Sequence, residues 1–224
     1  MRKLFIPAVV VAAAMFAWAP IGIARVEYES TMLLVQKIFY FHFATWMAVT
    51  ASVTVCGIAS AIYLFGGTAA ADHYAVASAE LTTIFCLFGM FSGSLWGRKA
   101  WGVWWQWDAR LTSSLLLFLM MVGYLIARRY GGPAGRKLSA ALALFAAINV
   151  PLVYKSVDIW RTVHPQTTVV PKLDPRMRPA FWSAFVLITL VWTLLLTIRI
   201  RLERARAELE TLRLDAEDLA EENR

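Results

Sequence analysis

The sequence predicts an all-α, polytopic integral membrane protein with six transmembrane helices. Three observations carry that expectation. The chain is 59% hydrophobic and only 17% charged, where ordinary soluble domains are about a quarter charged. Its mean hydropathy is +0.58. Its apolar residues gather in six runs, each near the roughly 20 residues that cross a hydrocarbon core. The net charge of +7 is scattered between those runs. It suits an anionic membrane surface or an acidic ligand and gives no reason to expect nucleic acid.

The first run, Leu4–Ala24, follows Arg2 and Lys3 as a signal peptide would. At about 20 residues it exceeds the 7–15 of a signal core, so it is read as an uncleaved span. The others are Phe43–Phe65, Ala77–Leu95, Leu111–Ala127, Leu138–Tyr154 and Ala180–Ile200. Residues 1–200 thus form the membrane domain. Beyond Ile200 charges of both signs alternate with Leu202, Leu209, Leu212 and Leu219 in a loose a/d register. Residues 201–224 are read as a helical, cytoplasmic tail, either a solvated continuation of the last span or a short coiled-coil contact. Cys56 and Cys86 lie inside apolar runs without CxxC or CxxCH spacing. That excludes a covalent c-type haem attachment motif and a disulfide framework, and leaves them as packing residues.

Arg2, Lys3, Arg128, Arg129, Arg136, Lys137, Arg199, Arg201, Arg204 and Arg206 all fall on one side of a six-span topology. The positive-inside rule then places both termini in the cytoplasm. Arg98, Lys99, Arg110, Lys155, Arg161, Lys172, Arg176 and Arg178 fall on the outer side. An anionic ligand, acidic headgroups or simple loop charge would each account for them.

One of those outer loops carries the most informative segment. Five of the ten tryptophans, Trp96, Trp101, Trp104, Trp105 and Trp107, lie within twelve positions, beside Arg98, Lys99, Asp108 and Arg110. Of three histidines, His42 follows one span, His164 follows five and the tryptophan segment follows three. All are odd, so all share one side however the protein is inserted, with His73 on the other. Imidazole is a common axial ligand of haem iron, and two close its coordination sphere. Indoles offer flat apolar surface, and Arg98, Arg110 or Arg161 can meet propionates through charge-assisted hydrogen bonds. If residues 97–108 are helical, Gly97, Trp101, Trp104, Trp105 and Asp108 share a face, with Trp96 and Trp107 pointing elsewhere. The competing reading makes the tryptophans interfacial anchors, His42 and His164 structural residues, and Asp108–Arg110 a simple charge pair.

The string Trp101-Gly102-Val103-Trp104-Trp105-Gln106-Trp107-Asp108-Ala109-Arg110-Leu111-Thr112 resembles the WWD signature of haem-handling proteins in cytochrome c biogenesis. The short chain and its order of histidine, tryptophan segment, histidine are similar to the CcmC (haem exporter protein C) family of the system I pathway. The resemblance implies that His42, in IFYFH, and His164, in WRTVH, are axial ligands of a non-covalent haem b. It implies that Trp101, Trp104, Trp105, Trp107, Asp108 and Arg110 hold the haem for presentation to the periplasmic chaperone CcmE, which becomes covalently linked to it. It also implies the partners CcmA and CcmB, an ABC transporter, and CcmD, in the bacterial inner membrane. The family has a proline soon after its first histidine, where Phe43-Ala44-Thr45 stands here, and the segment beyond Ile200 is an extension.

Two rival functions remain at this stage. A channel or transporter subunit for haem or another anion would need polar groups inside the spans, where Ser52, Thr54, Ser60, Thr82, Thr83 and Asn149 are the main ones. A haem-independent structural subunit would use the tryptophans only as anchors.

Overall fold

The computed structural model describes residues 2–29, 32–165 and 169–222; the last two residues of the expected tail lie outside them. Six helices account for nearly all of it: α1 (Arg2–Ala24), α2 (Gln36–Gly66), α3 (Ala69–Ala100), α4 (Ala109–Tyr130), α5 (Gly132–Ile159) and α6 (Arg178–Glu222). All six are long and apolar enough to cross a membrane. No strand occurs among the described residues beyond an isolated bridge between Glu29 and Leu33. Each expected span falls within one helix, and the fold class is the one the composition predicts.

Packing follows the logic of a bilayer, where lipid tails are as apolar as side chains and close backbone approach drives association. The contacts of α2 and α3 therefore bury small residues, Ala48, Ser52, Cys56, Ala75, Ala79, Thr82 and Cys86. Bulky Ile58, Ile62, Phe65, Leu87, Phe88 and Phe91 face outward. At Gly57 an added Cβ would sit 2.7 Å from the Ala147 Cβ, which shows how nearly α2 and α5 touch. Both cysteines are buried and free, as packing residues should be. α1 packs chiefly on α6, at the edge of the bundle.

One end of the bundle is stitched by charge. Asp72 of α3 pairs with Arg128 of α4, and Arg199 of α6 bridges Glu80 of α3 and Glu203 of its own helix. Arg201 lies 5.4 Å from the Phe5 ring centroid and Arg204 5.7 Å from that of Tyr74. The chain start, the α2–α3 turn and the exit of α6 thus share this end. So does the α4–α5 hairpin, whose Gly132 has φ +55, a conformation that favours glycine. α6 runs unbroken through Glu222, so the charged tail continues the last span, with Leu202, Leu209 and Leu212 exposed.

The tryptophan segment differs from its expected helix. α3 stops at Ala100, and the chain is non-helical from Trp101 until Asp108 caps α4. Gly102 adopts φ +79, the left-handed region that ends helices, and the Arg98 guanidinium donates to its carbonyl. The shared helical face for Gly97, Trp101, Trp104, Trp105 and Asp108 therefore does not form.

Candidate functional site

At the end opposite the charged network, α3 presents Gly89, Gly93 and Gly97, spaced four apart on one helical face. Each lies under an aromatic ring. An added Cβ would stand 2.8 Å from Trp46 at Gly89, 3.1 Å from His42 Cε1 at Gly93 and 3.2 Å from Trp101 at Gly97. The absence of three side chains lets Trp46, His42 and Trp101 lie directly against the α3 backbone. Gly93→Ala should therefore displace His42 and lower the melting temperature of the detergent-purified protein. Gly123→Ala, whose Cβ would meet Leu142 at an ordinary 3.8 Å, should leave it unchanged.

The hydrogen bonds of the two imidazoles decide which nitrogen each offers. His42 Nδ1 is 3.0 Å from Ser92 Oγ, which also lies 3.1 Å from the Gly89 carbonyl. With the one hydroxyl proton given to that carbonyl, His42 Nδ1–H is the donor and its Nε2 carries the free lone pair. His164 Nδ1 is 2.9 Å from the Pro165 carbonyl. A carbonyl only accepts, so here too Nδ1 is protonated and Nε2 is left bare. Such bonds to the second nitrogen fix tautomer and ring direction in metal-ligating histidines.

Burial, with the Arg110 guanidinium nearby, pulls the His164 imidazole from 6.5 down to about 4, so it stays neutral at ordinary pH. The unfolded chain takes up that proton at the higher value, so stability should fall as pH drops from about 6.5 towards 4. His164→Phe should flatten that part of the melting-temperature profile of the haem-free protein.

His42, Trp46, Trp96, Trp101, Trp105, Arg110 and His164 line one narrow pocket of about 50 Å³. A second, about 290 Å³, shares His42, Trp46, Trp96, Arg110 and His164 and is also lined by Phe43 and Val170. Ring centroids run in a row, 6.3 Å from Trp46 to His42, 6.1 Å from His42 to Trp96 and 6.5 Å from Trp96 to His164. Arg110 Nη1 donates to the Val153 and Tyr154 carbonyls at 3.0 and 3.3 Å, holding the guanidinium on the pocket wall.

The expected site residues divide. His42, His164, Trp101, Trp105 and Arg110 converge on the pocket. Trp104 and Trp107 are 58% and 75% exposed, and Trp107 meets Trp105 edge-on at 5.7 Å. Arg161 lies on a neighbouring groove with Gln106 and Trp160, and Arg98 is occupied by Gly102. Trp96, expected to point away, is only 5% exposed and contacts both histidines. Trp96 lies within α3, three residues after Gly93, so it shares the helix face that packs against His42.

Asp108 also takes a different place. One carboxylate oxygen accepts from the Leu111 N–H at 2.8 Å and caps α4. The other accepts from the Thr162 hydroxyl and from the Val163 N–H at 3.2 Å. Thr162 Oγ1 then accepts from the His164 N–H at 3.1 Å. Asp108 therefore acts on the loop that carries His164 and lies outside the pocket lining.

Trp46, Ser92, Gly89 and Gly93 were not singled out from the sequence. The GxxxGxxxG spacing over residues 89–97 was a readable signal for the glycine ridge, while Trp46 and Ser92 owe their roles to helix pairing.

The donor set fits haem. Among the described residues no group of three or more His, Cys, Asp or Glu side chains converges, and two nitrogens fall short of the four ligands a bare zinc-like ion takes. Two suit an iron whose other positions a porphyrin fills. The buried indole nitrogens of Trp96 and Trp105 lack partners among the described residues, although leaving such a donor unmade costs roughly 1–3 kcal/mol. Little supports a polar conduit. Trp192 donates to Ser52 at 2.6 Å, and Thr54, Thr82, Thr83 and Asn149 donate to backbone carbonyls.

Comparison with known proteins gives a consistent picture. The family model described as heme exporter protein C matches residues 1–220. Heme exporter protein C of Escherichia coli strain K12 is 34% identical over 204 residues, covering 86% of this chain and 79% of that protein. The Bradyrhizobium diazoefficiens protein of the same name is 38% identical over 127 residues, 56% of this chain and 48% of its own. A Marchantia polymorpha protein named as cytochrome c biosynthesis ccmC-like and mitochondrial is 29% identical over 134 residues, 59% of this chain and 57% of its own.

Proposed function

This chain belongs to the heme exporter protein C family, and from that premise we propose that it binds haem b non-covalently and delivers it to the chaperone CcmE. The role in haem export or cytochrome c biogenesis follows from the family. The observation that carries the finer reading is the pair of bare Nε2 atoms, fixed by Ser92 and Pro165, on two histidines lining one pocket. Bound there, haem supplies the iron that these nitrogens ligate. His42 is locked against α3 by Gly93 and Ser92. His164 rides on a loop fastened through Thr162 to Asp108. Such a loop suits a carrier that must trap its cargo and later surrender it.

Trp101 and Trp105 wall the pocket and exclude water, Arg110 meets carboxylate charge, and exposed Trp104 and Trp107 form the presenting surface towards the chaperone. The haem face is periplasmic, the membrane is the bacterial inner membrane, and both termini are cytoplasmic. CcmA, CcmB and CcmD are the membrane partners.

The test is transfer. Haem-loaded protein mixed with the purified soluble domain of CcmE should lose its bound-haem spectrum while CcmE gains one. A Trp104→Ala/Trp107→Ala variant should load normally and transfer several-fold more slowly. Equal transfer by a protein lacking His42 and His164 would contradict the delivery reading.

A further inference from the structure

We propose that the indole N–H groups of Trp96 and Trp105 bind the carboxylates of the porphyrin, so that this chain selects a dicarboxylate tetrapyrrole. The inference rests on the haem-site reading and assigns a recognition role within it. Trp96 is 5% exposed and lies between the two histidine rings. Trp105 is half-buried, with its nitrogen sealed from solvent. Both nitrogens are without a partner among the described residues, and both side chains line the pocket that holds the two imidazoles.

An indole nitrogen can only donate. The rim of a haem b carries methyl, vinyl and propionate groups, and iron occupies its four pyrrole nitrogens. The propionate oxygens are the only strong acceptors such a ligand brings to a dry pocket. The neighbourhood favours that charge, because the Arg110 guanidinium lies on the same pocket wall. Donors to an ionised acceptor are the stronger class of hydrogen bond, and their strength grows where water is excluded. The indoles thus serve two purposes, as flat walls and as readers of the carboxylate edge.

The experiment measures binding of ferric protoporphyrin IX and of its dimethyl ester to the detergent-purified full chain. Wild-type, Trp96→Phe and Trp105→Phe proteins are compared, each variant retaining a ring but lacking the N–H. Wild type should prefer the diacid by roughly tenfold or more. Each variant should weaken diacid binding several-fold and diester binding by less, because the ester carbonyls accept only a weaker neutral hydrogen bond, narrowing the ratio. Trp105→Phe, at the less buried of the two indoles, provides the readout if Trp96→Phe melts at a lower temperature. Equal losses for both ligands, or an unchanged ratio in both variants, would overturn the proposal and reduce the indoles to apolar walls. If neither porphyrin produces a ligated Soret band with wild type, the haem-site reading itself fails.

Discussion

Replacing both His42 and His164 by alanine should abolish high-affinity haem binding while leaving the six-helix bundle intact. Neither imidazole belongs to an ion pair or an extended hydrogen-bond network: His42 bonds to Ser92 and His164 to the Pro165 carbonyl, beside ring contacts with Trp96. Loss of an outer partner of a metal ligand typically costs about 10–100-fold in affinity, and loss of both ligands should exceed that. Each single variant should keep one imidazole and give a five-coordinate spectrum, with haem bound more weakly. Titration of haemin into the three detergent-purified variants, beside their melting temperatures, checks this. A double variant that kept a wild-type six-coordinate spectrum would remove the two-ligand assignment.

Asp108→Asn should weaken haem binding by about 10–100-fold with little change in stability. The asparagine oxygen can still accept from Leu111 and cap α4, since Asn and Asp are comparable caps. Its amide nitrogen is a donor and cannot accept from Thr162 and Val163 as the second carboxylate oxygen does. The substitution therefore separates the cap from the His164 tether. Asp108→Ala should lose both and additionally destabilise the protein by roughly 1 kcal/mol. If Asp108→Asn bound haem normally, the aspartate would matter only as a helix cap. A Thr162→Val variant offers an independent check, because it breaks the same tether one residue further along.

How much of this was legible follows from what each signal depends on. Helix number and the shared side of His42, the tryptophans and His164 depend on span-length apolar runs and on parity, both local properties of the chain. The edges were less legible, because α2 begins well before its apolar run and α3 extends past its run at both ends. The direction of Trp96 was not legible because it depends on which face of α3 meets Phe39 and His42 of α2, and periodicity within one segment does not say which face meets a neighbour. Asp108 looked like a ligand contact because its partners Leu111, Thr162 and Val163 meet only after α4 and the α5–α6 loop pack together. The tautomers were beyond reach, since they depend on Ser92 giving its proton to Gly89.

The central claim is that two neutral imidazoles of this chain complete the coordination of a haem iron. The most direct test is the absorption spectrum of the detergent-purified wild-type protein, oxidised and then reduced, after loading with haemin. A six-coordinate, low-spin, bis-imidazole spectrum that is lost stepwise in His42→Ala and His164→Ala is the expected result. A spectrum of free haem in detergent, or one indifferent to both substitutions, would contradict it.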